Sequence, residues 1–247
     1  SAEARAFRMV PIEADDDGMY VVKLRGASQG EKALIAEVVA GEIGRILGLK
    51  VPELVLVDLD AAIAAAEPDP EICLPLEKSV GLNLGLDFLP GSVTYDPLVG
   101  PHPDAATASR IVLFDAFVAN VDRTVKNANL LTWHRSTWLI DHGASLYFHH
   151  GWRPEDPLEG SADPFAEVKT HVLLRRATDL QGAAAALRAA LDDAAIDRIV
   201  DLVPDAWLDA DRAWDTVPAH RDAYRGWLRA RRDAIGLLVE EAERARA

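Results

Sequence analysis

Asp122 and Asn127 stand five residues apart in the run NVDRTVKNANLL, residues 120–131, and Asp141 follows in WLIDHGASL, residues 138–146. A carboxylate and a carboxamide at that spacing in one loop let the Asp meet a hydroxyl while the Asn amide oxygen reaches a metal. Asp141, at the end of a short apolar run, supplies a second hard oxygen ligand. Far upstream, Lys23 sits in MYVVKLRG, residues 19–26, between Val21-Val22 and Leu24. A strand buried on both faces leaves such an amine in need of an acid. A cation for phosphates, an acid to hold it, two oxygen ligands for a metal and an acid to orient a hydroxyl are the parts that phosphoryl transfer from a magnesium nucleotide requires.

Taken singly, Asp122 reads equally well as a turn acid and Asn127 as a loop cap. Together with Asp141 they are hard to explain as turn chemistry, because NLLTW and STWLID, read as two short strands, bring both loop ends to one edge of a hairpin. Lys126 has two readings of equal weight, a contact with the γ-phosphate or the acceptor and a solvated loop lysine. Asn129 reads as structural, holding the loop to its strand.

The frame for these residues is strand-rich to about residue 90 and helix-rich beyond it. MYVVKLRG follows the turn-like Asp15-Asp16-Asp17-Gly18 and reads as a strand. From Gly30 to Leu47 the apolar residues Ile35, Val38, Val39, Ile43 and Ile46 share one helical face, with Gly48 as the stop. ELVLVDL is a second strand; a Pro-rich connection leads to GLNLGLDFLPG, a strand running into a turn. ATASRIVLFDAFVANV reads as a buried helix, and the last hundred residues as amphipathic helices split by Pro204 and Pro218. The expected class is α+β, with a β-rich unit over 1–90 and a helical one over 91–247.

A formal net charge of −14 over 247 residues opposes a broad electrostatic grip on nucleic acid or an anionic membrane. No apolar stretch has the length of a membrane span, and the charged beginning lacks a signal-peptide core, so a cytoplasmic location is expected. The lone cysteine, Cys73, reads as a small core hydrophobe.

The order KLRG…E…LGLKVPE, then Asp122-Arg123-x-x-x-Asn127, then Ile140-Asp141-His142-Gly143 resembles the HipA-like kinases, bacterial relatives of protein and phosphatidylinositol kinases, over about residues 19–150. The resemblance implies a two-lobed protein-kinase-like fold, a small β-rich lobe with one main helix and a larger helical lobe. It implies a kinase using ATP and Mg²⁺, with Ser or Thr of a protein as the acceptor. Residue by residue it makes Lys23 the phosphate-binding lysine and Glu37 its helix partner. Asp122 becomes the catalytic acid, Asn127 and Asp141 the magnesium ligands, and the backbone of Asp87, Phe88 and Leu89 the adenine hinge. His142 falls where protein kinases place a Phe.

Two departures keep other functions open. Many relatives carry His two residues after the catalytic Asp, where this chain has Thr124; and no Gly-rich phosphate loop precedes Lys23, only Asp17-Gly18, with GASQG following. The alternatives are a small-molecule phosphotransferase, a nucleotide-binding module without transfer, and a regulator working beside a DNA-binding protein. On a helical wheel Glu42 lies nearer the middle of the apolar stripe than Glu37 and competes as the acid for Lys23. His149 and His150 would diverge on a strand and offer no zinc pattern. At the C-terminus, Tyr224, Trp227, Leu228, Ile235 and Leu238 form the apolar side of a helix; Arg221, Arg225, Arg229 and Arg232 opposite them read first as a solvated face and second as a docking patch for an anion.

Overall fold

The computed structural model describes residues 18–27 and 30–247, and the backbone of residues 10–13. The acidic turn read at Asp15-Asp16-Asp17, and Ser28-Gln29 of GASQG, lie outside the described residues. The chain divides into two compact units, Ser1–Leu34 with Pro52–Pro90 and Ile35–Val51 with Gly91–Ala247. Helix α1 (Gly30–Ile46) begins in the first and continues in the second. Residues 33–41 of α1 are buried without interruption. The helix is therefore apolar all round in its middle, not one-sided, and Ile46, expected on the buried face, is 39% exposed. Gly48, at φ +70°, ends it, with the Leu49 amide donating back to the Gly44 carbonyl at 3.0 Å.

In the first unit, strands β1 (Val10–Glu13), β2 (Met19–Lys23), β3 (Leu54–Leu59) and β4 (Gly81–Asp87) form an antiparallel sheet in the order β1-β2-β4-β3. Val22, Leu24, Leu59, Ala64 and Leu76 pack together beneath it. The Pro-rich connection between β3 and β4 is not a plain linker: it folds into α2 (Ala61–Ala66) and α3 (Pro70–Glu77). Asp60 and Asp69 cap them by accepting from the amides of Ala62 and Glu71, and Pro70 occupies the first turn, where its missing N–H costs nothing. Cys73, expected in the core, is only half-buried, its Sγ lying 3.4 Å from the Ala64 carbonyl oxygen.

In the second unit, α4 (Ala105–Phe117) is the central rod, buried from Ser109 through Phe117 except for Arg110. It packs against α5 (Leu180–Ala190) and α9 (Ile235–Arg246). A small antiparallel sheet runs β5 (Val93–Thr94), β6 (Leu130–Trp133), β7 (Ser136–Leu139). The β6–β7 hairpin turns on two residues, His134 and Arg135, at φ +47° and +60°. Both central residues are left-handed, as the twist of a two-residue hairpin requires.

The expectation of amphipathic helices through the last hundred residues fails over 147–176. That stretch holds three short 3-10 helices (Tyr147–His150, Ala166–Thr170, Leu174–Arg176) joined by turns. Beyond it come α6 (Asp193–Asp201), α7 (Asp205–Asp209) and α8 (Val217–Asp233). Pro204 and Pro218 begin helices, as N-cap and first-turn residue, and the single C-terminal helix is two, broken at Ala234.

Candidate active site

The loop residues lie within the second unit. Asp122 Oδ2 accepts from Asn127 Nδ2 at 2.7 Å and from Asn129 Nδ2 at 3.2 Å, while the Asp122 amide donates to Asn120 Oδ1 at 3.1 Å. Two facing oxygens would repel, so the Asn127 amide must present nitrogen to Asp122. Its Oδ1 is left on the other side, as a ligand for a hard cation would be. Asn129 sits at φ +46° and Asp141 at φ +55°. Both are residue types that tolerate left-handed backbone, at a cost of order 1 kcal/mol.

The hairpin register decides where Asp141 falls. Leu130 pairs with Leu139, and the Ile140 amide donates to the Asn129 carbonyl at 3.1 Å, so the chain leaves the ladder with Asp141 next in line. Asp122 feels it. Burial raises the pKa of Asp122 above its usual range and the charge of Asp141 adds to that, against the opposing pull of Asn129, Asn127 and Arg123.

A buried brace that the sequence reading did not find lies behind this loop. Arg123, almost fully buried, donates from Nε to Asp115 Oδ2 at 2.6 Å and from Nη1 to the Asn129 carbonyl. Asp115, on α4, also accepts from Asn120 Nδ2 and from His171 Nε2, both at 2.9 Å. His171 Nδ1 accepts from the Leu173 amide at 3.0 Å, so Nε2 is the nitrogen that carries the proton toward Asp115. Burial pushes the Asp115 carboxyl up, but Arg123 and His171 outweigh it and hold the group at about 2. The backbone adds a strap: the Val172 amide donates to the Arg123 carbonyl at 3.2 Å, and Thr124 bridges His171. The signal for Asp115 was present in RIVLFDAFV, since an acid inside a helix that is apolar on every side demands a cation.

Arg231, also missed, secures the end of α4. It donates to the carbonyls of Ala116 at 2.8 Å, Phe117 at 3.3 Å and Ser161 at 3.2 Å, and to that of Asp163. A cation here satisfies carbonyls that a helix end leaves without donors and suits the negative end of its dipole. Burial lowers the Arg231 pKa to about 10, with Asp163 pulling it back up.

Glu37 is fully buried on α1, its Oε2 3.5 Å from His142 Nδ1. The His142 ring is also buried and meets Phe114 edge-on at 5.7 Å. The rival Glu42 is partly exposed and faces Arg45 at 3.5 Å. Of the two acids, Glu37 is the buried one; the wheel failed because α1 has no solvent face in its middle. Lys126 is exposed. In the first unit, Lys23 ends β2 opposite Leu84 and is 2% exposed. At the end of β4 the Asp87 amide donates to the Glu53 carbonyl at 2.9 Å and the Phe88 amide to that of Met19 at 3.0 Å; Asp87 and Phe88 are exposed and Leu89 is buried.

Among the described residues no group of three or more His, Cys, Asp or Glu side chains could hold a metal by itself. One amide oxygen and one carboxylate still fit magnesium, which keeps much of its shell in water and nucleotide phosphates. They do not suit a tightly caged ion. His149 lies in a 3-10 helix, not a strand, with Nδ1 3.0 Å from the Tyr224 hydroxyl. The docking patch read on α8 is already occupied: Arg221 pairs with Asp205, Arg225 with Asp197 and Asp201, Arg229 with Asp193 and Asp197, and Arg232 with Asp193. No helix among the described residues is long and apolar enough to cross a membrane.

A family model described as HipA-like kinase matches residues 11–230. In structure the chain is similar to the Helicobacter pylori proinflammatory kinase CtkA, with a TM-score of 0.57 at 14% identity, covering 96% of this chain and 94% of that one. At that identity the likeness is one of fold, a kinase-like fold of small antiparallel sheets and a helical unit. No curated protein matches the sequence.

Proposed function

Because the chain belongs to the HipA-like kinase family, we propose that it is an active phosphotransferase that passes the γ-phosphoryl group of ATP to a hydroxyl, with Ser or Thr of a protein as the acceptor. The observation that carries this reading is the Asp122–Asn127 hydrogen bond, with Asp141 close enough for its charge to raise the Asp122 pKa. Asp122 positions the acceptor hydroxyl and takes its proton, and a raised pKa makes it a better base near neutrality. The hydroxyl oxygen forms a bond to the γ-phosphorus as the bond to the β,γ-bridging oxygen breaks, and ADP leaves. Asn127 Oδ1 and the Asp141 carboxylate would hold magnesium, which when bound neutralises charge on the phosphates. Lys23 serves the nucleotide phosphates, Glu37 is the helix acid of the family pattern, Lys126 attends the γ-phosphate, and the backbone at Asp87, Phe88 and Leu89 takes the adenine.

The test is incubation with γ-labelled ATP and Mg²⁺, with and without cell lysate, beside Asp122→Ala and Asp141→Ala. Label transferred to protein and lost in both variants is the expected result; label in a small molecule would move the acceptor class. A second reading, nucleotide binding without transfer, is favoured by the missing Gly-rich loop before Lys23. It predicts magnesium-dependent ATP binding, no label, and no change in that binding on Asp122→Ala.

A further inference from the structure

A groove of about 1190 Å³ opens beside the catalytic loop, wholly within the second unit. Thr124 and Lys126 form one wall, the segment around Lys169, His171 and Arg175 another, and Arg246 at the end of α9 a third. Val121, Val172 and Leu174 supply apolar surface between them. Its charge is the reverse of the molecule's. The chain has 40 Asp and Glu against 26 Lys and Arg, yet Lys126, Lys169, Arg175 and Arg246 line this groove against the single side-chain carboxylate of Glu167.

These cations also differ from the other basic surface of the unit. On α8, Arg221, Arg225, Arg229 and Arg232 each close a salt bridge with an acid of α6 or α7, and Arg231 donates to backbone carbonyls. Among the described residues none of the four groove cations does so; Lys169 only adds to the field at Glu241, whose first partner is Arg244. Four exposed like charges round one concavity repel one another, and an anion bound between them relieves that repulsion. The groove volume exceeds the usual range for small-molecule pockets, roughly 300–1,000 Å³, and suits a length of chain with side chains on several walls.

We infer that this groove holds the acceptor as an acidic peptide segment, its Asp and Glu side chains meeting Lys169, Arg175 and Arg246, with Lys126 left to the γ-phosphate, while a Ser or Thr hydroxyl lies at Asp122. The inference rests on the phosphotransferase reading for the hydroxyl, but peptide binding can be measured without any transfer. The transfer itself is the one already balanced: the segment's hydroxyl oxygen bonds to the γ-phosphorus, its proton goes to Asp122, and ADP departs.

The experiment is fluorescence anisotropy of two labelled Ser-containing peptides, one flanked by Asp and Glu and the other by Lys and Arg, with the wild-type protein at low and high salt. The acidic peptide should bind at least ~10-fold tighter, equivalent to about 1.4 kcal/mol, and the advantage should shrink as salt screens it. The double variant Lys169→Glu/Arg175→Glu should abolish the preference, with ATP affinity reporting that the variant is folded. Equal binding of both peptides, or a preference untouched by charge reversal in folded protein, would overturn the groove, as would displacement of the acidic peptide by glycerol 3-phosphate at equal concentration. If the variant does not fold, the wild-type comparison of the two peptides decides alone. Discrimination between peptides without any transfer of label sinks the kinase reading and leaves the groove standing. Transfer indifferent to flanking charge does the opposite.

Discussion

Asp115 and Asp122 are seven residues apart and are treated in opposite ways. Asp115 is fully buried, yet Arg123, His171 and Asn120 surround it and its pKa falls to about 2. Asp122 is half-buried, receives only amides at hydrogen-bonding distance, and stands in the field of a second carboxylate, so its pKa rises. Burial pushes both groups the same way; the partners decide the sign. The lesson is a division of labour. One carboxylate has its charge fixed by Arg123 and the His171 N–H and serves as an anchor for the loop; the other meets only neutral amide donors.

Under the proposed mechanism, Asp122→Ala removes the group that takes the acceptor's proton. Phosphoryl transfer should fall on the order of 10²–10⁴-fold, while the urea midpoint of unfolding stays near that of the wild type. A large loss of stability with transfer intact would reverse the two roles. Asp115→Asn attacks the anchor and leaves Arg123 buried with a neutral partner; urea unfolding should show a loss of about 3–5 kcal/mol. A stability loss below about 1 kcal/mol would mean that Asp115 anchors nothing.

Acid sharpens the contrast. The folded pKa of Asp115 is depressed, so the stability it contributes is present above its unfolded value near 3.8 and is lost as pH falls through about 2, a span worth about 2 kcal/mol. Asp122, with its raised folded pKa, has the reverse sign: its contribution is present below the unfolded value and lost as pH rises through the folded one. Stability curves against pH for Asp115→Asn and Asp122→Asn should therefore depart from wild type in opposite directions. The smallest effect is expected from His171→Asn, which removes one donor to Asp115 but leaves Arg123; a loss of about 1–2 kcal/mol should accompany a lower kcat at little changed ATP affinity.

The comparison also shows what a sequence discloses. Strands β2, β3 and β4 and the β6–β7 pair could be read because β-branched and apolar runs stop at Gly, Pro or a turn. The series Asp122, Asn127, Asp141 was visible because its members are near one another along the chain and of types that serve the same chemistry. The brace was not, because its partners are remote: His171 meets Asp115 across 56 residues and Arg231 meets Ala116 across 115. Periodicity reports which side of a helix is apolar, not which acid finds which cation. It failed outright on α1, where Glu37 is buried as deeply as the apolar residues around it and no wheel could rank it above Glu42. It failed too between β3 and β4, where the stretch read as a Pro-rich connection holds two helices that start at Asp60 and Asp69.

The two-residue turn at His134-Arg135 sets the spacing of the two chain ends that carry Asn127 and Asp141. Asn129 and Ile140 close the ladder at the far end of a hairpin only four residues long on each side, and side chains alternate faces with every step along a strand. Insertion of one residue at this turn must be absorbed either as a bulge or as a one-residue slip of the β6–β7 register, and a slip turns the face on which Asp141 leaves the ladder, with Asp122 and Asn127 chemically untouched. The turn is thus a place where chain length, not residue identity, is under constraint. Replacing His134-Arg135 by Asn-Gly keeps the two-residue loop and should be tolerated, whereas a third residue without a Gly to take the left-handed bulge position should cost stability.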